Sequence, residues 1–393
     1  MNTHETPETT ASPTPQQPPV NYVQLAVSLL AIALIVTNVI TWLYYKDALK
    51  QPGSTEIRGE TLAIKAPPAV TTANGSPIDL TTRNFDFPIT NAHDHLYKLQ
   101  HLDKYMKAAK KFGIDRTIFV ASSEFTFLGT KGDPKKLNDW STREILTAAK
   151  KYPGKIIPFA TLHPDDPDKV ALLKSYVADG VMGLKLYTGH SNFHDRSLDV
   201  PEMDPVYAYC AETQLPVLWH VNMAKYTKEL FTVLDRYPTM KVIIPHYGVG
   251  FWRPEGNVMG DVEKMLDTYP NVYVDSSFGT REILVGGLEK VSAHLEVFKD
   301  FYAKYQDRIV WGTDMVVTGN SEKTEPWVES VIRACRDVHE KDTYVFWMAA
   351  QGSKYAYGNG SNTYGVLRGL NLSDEILEKV YKTNMDRLLG IGK

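Results

Sequence analysis

Between residues 89 and 312 the chain repeats one texture, a short apolar, β-branched run followed by an amphipathic stretch. The runs are Ile89–His93, Arg116–Ala121, Ile156–Leu162, Met182–Leu186, Pro216–His220, Lys241–His246, Val272–Asp275 and Ile309–Gly312. The periodicity between them predicts helices over Leu102–Phe112, Ser141–Lys151, Asp168–Ala178, Asp204–Thr213, Lys225–Arg236, Val258–Asp267 and Val291–Tyr305. Two more follow, over Glu325–His339 and Ser373–Leu389. Strands that alternate with helices pair in parallel through right-handed crossovers. Eight such units in about 300 residues predict an α/β fold closed into a (β/α)8 TIM barrel. The competing arrangement is a doubly wound open sheet. No GxGxxG or P-loop follows the first strand, which removes that fold's usual phosphate site.

Four segments are expected. Residues 1–20 are rich in Thr, Pro, Gln and Glu, lack Lys and Arg, and read as a disordered tail. No charged side chain occurs from Thr9 to Tyr45, and Val23–Tyr45 is strongly apolar. About 20 such residues in a helix cross a hydrocarbon core, and Trp42, Tyr44 and Tyr45 fall where an aromatic belt belongs. A transmembrane helix over 21–45 is therefore expected, with residues 23–45 in the lipid bilayer and the protein held as a single-pass, membrane-anchored chain. A cleaved signal peptide fits poorly, because there is no basic n-region and the apolar run is too long. Lys46, Lys50 and Arg58 follow the segment, so the positive-inside rule puts the large domain on the cytoplasmic side. An exported domain behind a short tail uses the same layout, and the side stays open. Residues 46–85, punctuated by PP, NG and SP, read as a linker, and 86–393 as the barrel.

Composition narrows the function. The formal net charge is -3 and no basic block stands out, so nucleic acid is not an expected partner. The two cysteines, Cys210 and Cys335, form no CxxC, which excludes a cysteine-based zinc site.

A barrel of this kind carries its chemistry at the C-terminal ends of its strands. The first expected strand ends in Asn91-Ala92-His93-Asp94-His95. Residues i and i+2 face the same side of a strand, so His93 and His95 can converge on one ion. The fourth contains Lys185, the fifth ends in His220, the sixth in His246, and the eighth leads to Asp314 in Trp-Gly-Thr-Asp. A lone histidine is more often a hydrogen-bonded structural residue, and a lone GTD a turn or a helix cap. Four histidines and an aspartate at the same end of the expected strands make a ligand set. Imidazole and carboxylate donors suit zinc first, with manganese, iron or nickel as alternatives.

Taken together, these residues resemble the amidohydrolase superfamily of metal-dependent barrels. Three stretches are similar to its amidohydrolase-related branch, the amidohydrolase 2 family: Tyr269–Asp275, Ile309–Asp314 and Leu372–Gly390. The resemblance covers about residues 86–391. It implies that His93, His95 and Asp314 bind the more buried ion, with Asp314 also the proton acceptor. His220 is a further ligand, and in single-metal members His246 hydrogen-bonds water or substrate. In two-metal members the strand-4 lysine is carboxylated and bridges both ions, while the strand-5 and strand-6 histidines hold the second. Lys185 thus decides between one ion and two, and both states fit its GLKLY surroundings.

The resemblance implies an enzyme that activates water on a divalent metal, expected to be zinc, to hydrolyse an amide, ester or lactone of a small molecule. The alternatives are a non-oxidative decarboxylase on the same ligands and an inactive scaffold, which would lack one or more of them. Softer candidates are Tyr187, His190, His194, Glu124, Trp252, Arg253 and Glu255 in loops, with His163 and Asp275 as residues that orient a ligand. Arg253 can grip a substrate carboxylate through two hydrogen bonds. Oligomeric state is not set by the sequence.

Overall fold

The computed structural model describes residues 81–122, 134–189, 197–248, 258–279, 281–349 and 365–391. Its strands and helices alternate as the periodicity requires. In chain order they are β1 (Ile89–Leu96), α1 (Leu102–Lys111), β2 (Ile114–Ala121), α2 (Pro134–Lys151), β3 (Ile156–Thr161), α3 (Lys169–Ala178), β4 (Gly183–Thr188), α4 (Asp204–Thr213), β5 (Val217–Val221), α5 (Met223–Arg236), β6 (Val242–Ile244), α6 (Val258–Thr268) and β7 (Val272–Asp275). There follow α7 (Arg281–Ala293), α8 (Leu295–Tyr305), β8 (Ile309–Val310), β9 (Met315–Val317) and α9 (Glu325–Glu340). A hairpin of β10 (Thr343–Val345) and β11 (Val366–Arg368), then α10 (Asp374–Glu378), a π-helical turn over Lys379–Thr383 and α11 (Asn384–Leu389), complete the chain.

The nine strands β1–β9 form one parallel sheet in the order β8-β7-β6-β5-β4-β3-β2-β1-β9. Its two outermost members are successive pieces of the single segment 309–317. β8 pairs with β7, and β9 pairs with β1. Between them the Ala92 amide donates to the Trp311 carbonyl (2.8 Å) and the Asp314 amide to the His93 carbonyl (2.7 Å). The sheet is therefore brought round on itself, and the architecture is TIM-barrel-like. The expected eighth strand, Ile309–Gly312, is seen only over Ile309–Val310, and β9 is an unexpected strand that begins just after Asp314, whose backbone is left-handed with φ 53°. A two-residue period cannot survive such a residue.

Strand alternation divides the apolar residues between two cores. Ala92, Ile118, Val120, Ile157, Phe159, Leu218, Ile243, Tyr273 and Val310 point inward, where Met385 and Leu388 of α11 join them. The outward set packs against the surrounding helices. Inside, space is tight: a Cβ on Gly183 would lie 2.3 Å from the Phe159 ring. Two helix starts are locally encoded. Thr324 and Ser373 cap α9 and α10, accepting from the amides of Trp327 and Ile376. The expected helix over Val291–Tyr305 is found as α8 and only the end of α7, an otherwise unexpected helix, with a break at His294.

Packing begins before the first strand. Arg83 donates to the Glu340 carbonyl, and Phe85 stacks on Phe87 and meets the Tyr381 ring edge-on. The expected membrane-anchored location requires correction. Among the described residues no helix is long and apolar enough to cross a membrane. Residues 23–45, on which that expectation rested, lie outside the described residues, as do the expected tail and most of the linker.

Candidate metal centre

Period-two alternation aims His93 and His95 of β1 at the same side, as the sequence predicts. Their Nε2 atoms are 3.2 Å apart. Asp314 reaches both: its Oδ1 is 3.2 Å from His93 Nε2 and 2.8 Å from His95 Nε2. The left-handed backbone at Asp314 turns its carboxylate into this position. Two glycines make room for the arrangement. A Cβ on Gly312 would lie 3.0 Å from His93 Cβ, and one on Gly279 would lie 2.7 Å from Asp314 Oδ2.

The far sides of both imidazoles are engaged. His93 Nδ1 is 2.8 Å from Asp275 Oδ2, and His95 Nδ1 is 2.6 Å from Ser122 Oγ. Ser122 donates its own proton to the Val120 carbonyl, so it accepts from His95. A carboxylate can only accept. Both Nδ1 atoms therefore carry the proton, and both Nε2 atoms present lone pairs toward one point beside an anionic oxygen. Lone pairs facing each other at 3.2 Å repel unless a cation sits between them. This donor set fits a divalent metal ion.

A second grouping, His93, His246 and Asp275, also brings ligand atoms within 4.8 Å of one another. Its nitrogens are already committed to hydrogen bonds, so the grouping with His95 and Asp314 is the better cation site.

His246 follows β6 with φ 56°. Its Nδ1 donates to the Ser277 carbonyl at 3.0 Å, which leaves Nε2 3.4 Å from Asp314 Oδ2. His220 closes β5 with its ring 5.4 Å from that of His246 and 6.2 Å from that of Tyr187. It lies outside the tight group of ligand atoms. Lys185 lies wholly buried on β4, with Nζ 3.1 Å from His93 Nε2 and 4.9 Å from the Tyr187 ring centre.

Burial sets the electrostatics. It pushes the Lys185 ammonium down to about 8 against the pull of Asp314 and Asp275. It holds His95 down to about 3, with Asp314 opposing. His93 is lowered by burial and then by Lys185. Burial would raise the Asp314 carboxyl, but His93, His246 and His95 outweigh it and keep the group well below the usual range. Burial also works against Asp275, yet His93, His246 and Ser277 bring it to about 2. Both aspartates are thus anions and the lowered His93 and His95 are neutral, the ionisation state that a cation site requires.

Sequence reasoning placed all six expected residues at one end of the sheet and named Asp275, but missed the other supports. Ser122 and Ser277 carried no signal beyond following strands. Asp94, between the two histidines, faces away from them. It accepts from the Asn91 amide at 2.7 Å, from the Thr313 hydroxyl and from the Met315 amide at 2.7 Å, pinning β9 to β1. Asp275, expected to orient a ligand, does contact His93. His163 is tied into its own loop through Asp165 and Asp166. Glu124, His190, His194, Trp252, Arg253 and Glu255 lie outside the described residues.

Fold and site together define a TIM-barrel-like α/β protein with a candidate metal centre at the ends of its strands. The amidohydrolase family profile matches residues 130–391, and the chain belongs to that family. Membership implies a divalent metal ion. Among solved structures, the fold is similar to a probable 2-pyrone-4,6-dicarboxylic acid hydrolase from Acinetobacter baumannii with citric acid bound. The TM-score is 0.52 at 14% identity, covering 78% of this chain and 100% of that one. Two further matches are 2,6-dihydroxybenzoate decarboxylase from Rhizobium (TM-score 0.45, 13% identity, 77% and 98% covered) and 5-carboxyvanillate decarboxylase from Novosphingobium aromaticivorans with bound manganese (TM-score 0.46, 14% identity, 78% and 98% covered). The first of these similarities supports the fold and nothing finer. No curated protein matches the sequence.

Proposed function

We propose that the protein is a metal-dependent hydrolase that cleaves a C–N or C–O bond of a small molecule. The observation that carries this reading is the convergence of His93 Nε2, His95 Nε2 and Asp314 Oδ1 within 2.8–3.2 Å of one another, with both Nδ1 atoms already spoken for. These three residues would hold the cation, with His220 and Lys185 nearby. When bound, a divalent ion there would supply Lewis acidity, polarising a carbonyl and lowering the pKa of water from about 15.7 toward about 7. Asp314 Oδ2, on the side facing His246, accepts the water proton. His246, its Nδ1 fixed by the Ser277 carbonyl, has Nε2 available to hold the substrate oxygen or to pass a proton to the leaving group. The donor set suits zinc and also manganese.

Metal content of the full chain, purified without chelators, tests this. One or two ions per chain are expected, and Asp314→Asn is expected to lose most of them. One ion would leave Lys185 an amine, and two would make it a carboxylated bridge. Well-folded protein that neither holds a metal nor takes up added zinc or manganese would overturn the reading. Turnover in ¹⁸O water separates hydrolysis, which places the label in the product, from decarboxylation, which does not.

A further inference from the structure

Asp275 does two jobs with its two oxygens. Oδ2 faces His93 Nδ1 at 2.8 Å. Oδ1 accepts three donors: the His246 amide at 3.0 Å, the Ser277 amide at 3.0 Å and the Ser277 hydroxyl at 2.6 Å. The Ser277 hydroxyl also lies 3.2 Å from His93 Nδ1 and 3.0 Å from His246 Nδ1. Asp275 and Ser277 are fully or almost fully buried, so water cannot substitute for a lost bond. One carboxylate thereby ties the backs of two histidines from different strands, and it holds His246 in its left-handed backbone.

We propose that Asp275 is a positioning residue that selects the tautomer of His93, and with it the atom His93 offers to a metal. This rests on the reading of His93, His95 and Asp314 as the cation site. The chemistry is asymmetric. A carboxylate accepts on both oxygens, so His93 must present Nδ1–H and keep the Nε2 lone pair for the cation. An amide in the same place has one accepting end and one donating end. Three donors converge on the Oδ1 side, so the oxygen of an asparagine stays there and its NH2 turns to His93 Nδ1. Nδ1 must then accept, the ring proton moves to Nε2, and the nitrogen facing Asp314 is no longer a ligand. Ser277→Ala, by contrast, removes one of three donors from Oδ1 and leaves the His93 contact with Oδ2 in place.

The test is ¹⁵N NMR of the full chain labelled at histidine and stripped of metal, with His93 assigned by its loss in His93→Asn, alongside calorimetric titration with Mn²⁺. The wild type is expected to show His93 protonated at Nδ1. Asp275→Asn is expected to show it at Nε2 and to bind Mn²⁺ about 10–100-fold more weakly, the range for losing an outer-shell partner. Ser277→Ala should keep the wild-type tautomer and stay within about threefold in affinity. A wild type with His93 protonated at Nε2 overturns the proposal, even if the asparagine variant does not fold. So does a folded Asp275→Asn that keeps the Nδ1–H form and the wild-type affinity. If the wild type binds neither Mn²⁺ nor Zn²⁺, the cation site itself is refuted, and the tautomers of the metal-free proteins still decide the role of Asp275.

Discussion

A buried hydrogen-bond chain behind His246 is expected to make the fold sensitive to acid. Tyr247, in a left-handed conformation next to His246, is 2.8 Å from the Tyr302 hydroxyl, which lies 2.7 Å from His339 Nε2. His339 Nδ1 is 2.8 Å from the Cys335 carbonyl. A carbonyl only accepts, so His339 carries its proton on Nδ1 and accepts from Tyr302 at Nε2. Protonation at Nε2 destroys that acceptor. Burial accordingly lowers His339 from 6.5 to about 4. The depressed value means that the neutral form contributes stability above pH 6.5 and that the contribution is lost as the pH falls toward 4. At about 1.4 kcal/mol per unit, the loss is about 2 kcal/mol by pH 5 and about 3 kcal/mol by pH 4. His339→Gln keeps an acceptor for Tyr302 and cannot titrate. Urea unfolding of both proteins at pH 7.5 and pH 5 measures the effect. The wild type is expected to lose about 2 kcal/mol more than the variant between the two conditions. A stability gap that stays constant within about 0.5 kcal/mol would show that His339 is not held neutral by the fold.

Two further substitutions probe the frame of the site. Gly279→Ala places a methyl 2.7 Å from Asp314 Oδ2 at φ +88°. It is expected to cost about 1–3 kcal/mol in thermal stability and to displace the carboxylate, so that bound metal falls below wild type; unchanged metal content would refute the close approach. Glu340 accepts the buried Arg336 guanidinium through both oxygens, at 2.6 and 3.1 Å, and the Tyr381 hydroxyl at 2.8 Å. Glu340→Gln leaves that cation without its counter-charge and is expected to cost about 3–5 kcal/mol. A denaturation midpoint that does not move would show that the carbonyls of Phe112 and Arg83, which Arg336 also contacts, suffice.

Local chemistry carried much of the fold. Strand and helix periods, and caps such as Thr324 and Ser373, act within a few residues and so are written along the chain. The α7–α8 break at His294 was not legible, because amphipathic periodicity runs across it. The same holds for β9, which starts beyond the left-handed Asp314 and pairs with β1, a pairing that no local pattern signals.

The sequence by itself determined that His93, His95, Lys185, His220, His246 and Asp314 gather at one end of a parallel sheet, since alternation and strand ends follow from residue order. Tertiary structure decided which of them touch. His93, His95 and Asp314 meet closely, while His220 stands apart beside His246. It also decided the ionisation and tautomers of the group, through partners such as Asp275, which is 182 residues from His93. Burial and hydrogen bonding between distant strands exist only once the sheet has come round on itself, and no local pattern encodes them.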